Sequence, residues 1–141
     1  LLLFLIIALL IPFPTTIVPT WKLQVVDELG SICPTREVTQ TWAHYSIFIG
    51  TGNSQSEDRT TDVDGSVEFP SRTVWAPLGW RIVGGMIANV LTLAHGSEGP
   101  HSSVRSSGIK DVAWISYNPE KPMTDKIVVH MFMIVAMELI K

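Results

Sequence analysis

Four carboxylates crowd one short stretch of the chain: Asp58, Asp62, Asp64 and Glu68. Clustered carboxylate oxygens are what a hard cation such as Ca2+ requires. With Gly65 at the sixth position of an EF-hand loop, however, the first and twelfth positions fall on Thr60 and Ser71, so two essential ligands are absent. Asp64-Gly65 is instead the pair that a tight turn asks for, and the turn is the reading the residues favour. The imidazoles of His44, His95, His101 and His130 lack metal-motif spacing, although His95 and His101 bracket a Gly/Pro loop. Cys33 is the lone thiol and has no sequence cue pointing to a base. Neither Gly50-Thr51-Gly52 nor Gly84-Gly85 composes a phosphate loop, and there is no nucleophile elbow and no Cys-x-x-Cys-His haem motif. No catalytic residue, metal or cofactor is therefore assigned. The one polar constellation is Gln40, Trp42 and His44, which share a face of an expected strand and form a candidate small pocket.

Such residues need elements to hold them, and composition limits the choice. At 141 residues the chain holds one domain with a short extension. Hydrophobic residues reach 46% against 16% charged, too apolar for disorder. The ten basic residues are scattered and the net charge is −3, so nucleic acid is excluded as a partner.

Residues 1–13 carry no polar side chain, and no charge appears before Lys22. Leu1, Leu2, Leu3, Phe4, Leu5, Ile6, Ile7, Leu9, Leu10, Ile11 and Phe13 are expected to form a membrane anchor within residues 1–20. A helix over residues 1–11 rises about 17 Å, roughly half the ~30 Å hydrocarbon core. Either the span is completed upstream of Leu1 or the helix only dips into the bilayer, and Pro12 and Pro14 end it. A cleaved signal peptide is the competing reading; no small-x-small cleavage site follows the apolar run.

From Trp21 the pattern turns to period two with frequent turn residues, which predicts a β-rich domain over residues 21–141. Trp21, Leu23 and Val25 share a face of the first strand, a second runs over residues 36–49, and Val67 and Phe69 alternate inward behind Asp64-Gly65. Residues 50–58 and 97–110 read as polar loops. Between Pro77 and Gly96 the period becomes helical, with Val83, Ile87, Val90, Leu91 and Ala94 on one face. Residues 112–117 form a short strand, and alternation over residues 127–139 predicts a last one. Trp21, Trp80, Ile82, Val83 and Ile87 are the candidate interface residues, since tryptophans and an uncharged helix suit contact surfaces.

The stretch Leu23-Gln24-Val25-Val26-Asp27-Glu28-Leu29-Gly30, followed by Thr61-Asp62-Val63-Asp64-Gly65-Ser66-Val67-Glu68-Phe69, resembles the carboxypeptidase-regulatory-like, transthyretin-like domains of bacterial envelope proteins. The likeness covers residues 21–75 and rests mainly on turn chemistry. It implies a transthyretin-like or Ig-like β-sandwich, here with one inserted helix and preceded by a single transmembrane helix. It also implies a non-catalytic module facing the periplasm. The expected role is an accessory subunit of the bacterial inner membrane that braces a larger complex, a photosynthetic reaction centre with its antenna or a respiratory complex. Its partners are then foreign transmembrane helices and lipid; pigment contact is compatible, though no residue is identified as a pigment ligand. The alternatives are a tethered ligand- or peptide-binding module and a filament-forming surface protein.

Overall fold

The computed structural model describes residues 2–44, 54–95, 100–108 and 112–130. In chain order the elements are α1 (Leu2–Leu10), β1 (Pro12–Val18), β2 (Trp21–Asp27), β3 (Glu37–His44), β4 (Gln55–Thr60), β5 (Ser66–Phe69), β6 (Arg72–Pro77), α2 (Leu78–His95), β7 (Pro100–Ser107), β8 (Val112–Ser116) and β9 (Lys126–Val129). The fold is mainly β and consistent with a β-sandwich, with sheets ordered β1-β6, β5-β2-β9 and β4-β3-β7-β8.

The expected transmembrane helix is not what the N-terminal residues form. Helix α1 has nine residues, and no helix among the described residues is long and apolar enough to cross a membrane. Pro12 removes the donor the next turn needs, and the β-branched residues Thr15, Thr16, Ile17 and Val18 favour an extended backbone. Residues 12–18 accordingly pair antiparallel with β6, Phe13 opposite Ala76 and Thr15 opposite Val74. The anchor over residues 1–20 is thus a short helix followed by a strand.

The chain forms two compact units. The first comprises Leu1–Trp21, Thr41–Ser56 and Pro70–Ser102; the second Lys22–Gln40, Glu57–Phe69 and Ser103–Lys141. In the first unit Ile17, Val18, Trp21, Ala43 and Ala76 are buried. The second buries a larger apolar set, including Leu23, Val25, Val38, Phe69, Val104, Ile127 and Val129. Strand β2 is central in its sheet, and its parallel neighbour β9 matches Val25 with Ile127.

Two turns of the second unit share one geometry. In Asp27-Glu28-Leu29-Gly30-Ser31 the Asp27 Oδ1 accepts from the amides of Leu29 (2.9 Å) and Ser31 (2.7 Å). In Asp62-Val63-Asp64-Gly65-Ser66 the Asp62 Oδ1 accepts from Asp64 (3.0 Å) and Ser66 (2.8 Å). Each aspartate carbonyl accepts from the turn glycine at 3.0 Å, and both glycines have positive φ, +82° and +66°. An aspartate that satisfies the turn's own amides explains these residues without a cation.

Two expected loops are partly strand. Residues 55–60 form β4 and residues 100–107 form β7; residues 50–53, 97–99 and 109–110 of those stretches lie outside the described residues. Ser102, Val104 and Ser106 of β7 are all buried, a period of two written largely in serine. Ser102 Oγ donates to the Thr41 carbonyl (3.0 Å) and Ser106 Oγ to that of Glu37 (3.2 Å), which removes the cost of burying them. Residues 45–49 of the expected second strand and 131–139 of the last also lie outside the described residues.

Candidate functional site

The two units divide the chain almost equally but not its charge. Of ten Lys and Arg and thirteen Asp and Glu, the first unit holds Arg72, Arg81 and Glu98. Glu98 lies outside the described residues. The two cations are turned onto the chain itself. Arg72 stacks over the Trp42 ring at 3.9 Å, and Arg81 over Phe13 at 3.9 Å. The Arg81 guanidinium also donates to the carbonyls of Phe13 (2.6 Å) and Ala76 (3.1 Å) and to the Thr15 hydroxyl. It thereby ties α2 to both strands of the β1-β6 pair.

With those charges spent inward, α1, β6 and α2 present an uncharged apolar surface. No described side chain of α1 is buried, and Leu3 and Phe4 are 70% and 75% exposed. Trp75 of β6 is 65% exposed, and Leu78, Trp80, Ile82, Val83, Met86, Ile87 and Val90 of α2 are exposed as well. Soluble proteins seldom leave contiguous apolar surface on this scale without a use for it. Helix α1 packs on α2 where Gly79 meets the Leu9 carbonyl; a Cβ at Gly79 stands 3.3 Å from that oxygen. Beside this contact lies an open groove of about 390 Å³ lined by Ile6, Leu9, Leu10, Pro77, Gly79 and Trp80.

Among the candidate interface residues, Trp80, Ile82, Val83 and Ile87 are on this surface, whereas Trp21 is buried at 1% exposure and belongs to the interior. The anchor residues Leu3, Phe4, Ile6, Ile7, Leu10, Ile11 and Phe13 are exposed, Leu9 is half-buried, and the side chains of Leu1, Leu2 and Leu5 lie outside the description. Trp75, Met86 and Leu78 were not singled out by the sequence. The signal that finds them is the low charge of the three separated runs that the fold gathers into one unit, only Arg72, Arg81 and Glu98 among them.

The candidate pocket residues lie largely in the interior. Gln40 is fully buried, Trp42 is half-buried under Arg72, and His44 is buried with Nδ1 lacking a hydrogen-bond partner among the described residues. Burial, reinforced by the positive charge of Arg81, lowers the His44 pKa from the ordinary imidazole value. The unfolded chain then binds a proton first as pH falls below about 6.5, and stability declines down to the folded pKa. The slope for one such group is at most about 1.4 kcal/mol per pH unit. Thermal melts between about pH 7.5 and 5.5 should show a steeper fall for the wild type than for His44→Gln. Equal slopes would remove His44 as the source.

No group of three or more His, Cys, Asp or Glu among the described residues is placed to hold a metal ion. Compared with known family models, curated proteins and solved structures, the chain gives no match. The fold therefore defines it as a mainly β chain with a two-helix apolar face, and the transthyretin-like likeness rests on the turn motifs alone.

Proposed function

We propose that the chain is a non-catalytic accessory module whose working part is the uncharged face of α1, β6 and α2, by which it docks on a hydrophobic surface of a bacterial membrane assembly. One observation carries this reading: almost all charge is kept out of a unit that spans half the chain and exposes large apolar side chains. Turns of the transthyretin-like kind in the second unit agree with a module that spaces or braces, as members of that family generally do.

The purified full-length chain should need detergent to stay monodisperse. Replacing Ile7, Met86 and Val90 with glutamine should abolish that need, because each is exposed and its loss leaves the core intact. A wild-type chain that stays monomeric in plain buffer would overturn the proposal.

A further inference from the structure

Resting on the reading that this face is a docking surface, we infer that its occupant is the hydrocarbon of a single lipid leaflet, into which α1 and the exposed side of α2 insert without crossing. Three features select lipid over a protein surface. First, α1 is apolar in sequence around its whole circumference, and although it packs on α2 at Leu9, none of its described side chains is buried. A protein partner covers one side of a helix; hydrocarbon surrounds it.

Second, the charge pattern fits lipid. Protein interfaces carry polar rims and about one hydrogen bond per 100–200 Å². Here α1 has no charged or polar side chain, and the one charged side chain of α2, Arg81, is committed to β1 and β6. Binding by this face has no electrostatic component and should be indifferent to salt.

Third, the backbone suits a position at one interface, and no helix among the described residues is long and apolar enough to cross. The helices satisfy their own backbone groups within lipid, but a two-stranded sheet has outer edges that hydrocarbon cannot hydrogen-bond. Strands β1 and β6 are therefore held at headgroup level. Exposed Trp75 on β6 and half-exposed Trp80 at the start of α2 then lie at the level where indole rings are favoured.

The test uses the full chain and vesicles of pure phosphatidylcholine, which have no net charge. The chain should float with the vesicles, to the same extent at low and high salt. Tryptophan emission should be quenched more by lipids brominated near the headgroup than by lipids brominated near the bilayer centre. Phe4→Gln with Ile7→Gln should lower partitioning about tenfold or more per residue while leaving the melt unchanged, since both side chains are exposed. A chain that stays unbound yet forms a defined dimer or a filament by electron microscopy would overturn the lipid assignment and keep the docking reading. A chain that is unbound and monomeric without detergent would overturn both.

Discussion

Gly65→Ala should destabilise the protein by about 2–5 kcal/mol, while the same substitution at Gly30 should cost only about 1–2 kcal/mol. Both glycines have positive φ in turns of the same design, so the conformational penalty on an L side chain is shared. Their surroundings differ. A Cβ at Gly30 meets nothing within 4 Å, whereas one at Gly65 stands 2.6 Å from Ile32 Cγ2 and 3.0 Å from the Val25 carbonyl oxygen. The Ile32 methyl is able to shift; the Val25 oxygen is not, because it accepts from the Cys33 amide at 3.0 Å while the Val25 amide donates to the Gly65 carbonyl at 2.8 Å. Gly65 thus fastens the second turn to β2, the central strand of its sheet. Against a total stability of about 5–15 kcal/mol, the larger loss is a substantial fraction. Thermal melts of the two variants should differ by roughly 3–5 °C for each kcal/mol separating them. Equal losses would show that the close approach at Gly65 contributes nothing.

That turn also shows which parts of the fold were legible from residue types. Asp-x-x-Gly-Ser specifies its own geometry: the side chain supplies an acceptor for two amides and glycine supplies the positive φ. The turn reading of Asp62 and Asp64 therefore needed no tertiary information. Helix α2 was legible for a similar reason, being bounded by Pro77 and Gly96 and periodic between them. Strand β7 was not, because buried Ser102 and Ser106 look like loop residues until the Thr41 and Glu37 carbonyls are placed beside them. At the N-terminus apolarity was plain but its consequence was misjudged. Residues 1–20 read as a membrane anchor whose helix ends at Pro12, yet pairing with β6 makes residues from Pro12 onward a strand and leaves a helix too short to cross. The apolar face of α1, β6 and α2 was only half visible, since α1 is separated in sequence from β6 and α2 by segments of the second unit.

Two tryptophans that the sequence put in one class should behave oppositely when truncated. Trp21→Ala is expected to cost about 3–5 kcal/mol, the range for removing a large buried aromatic side chain. At 1% exposure Trp21 is among the largest fully buried side chains, and deleting its indole leaves a cavity that the surrounding packing closes only in part. Trp80→Ala should cost less, about 2 kcal/mol, because Trp80 is 49% exposed and only about half of its area is withdrawn from water. The order reverses for association. Trp80 flanks the groove on the apolar face, so its loss should weaken vesicle binding under conditions where the variant is still folded. Trp21, being interior, should affect binding only through unfolding, and binding should return under conditions where the variant is folded. Urea melts and flotation on the same two variants measure both quantities. If Trp80→Ala lost stability on the scale of Trp21→Ala with no separate effect on flotation, the indole at position 80 would belong to the folded interior, and α2 would have no tryptophan at the headgroup level.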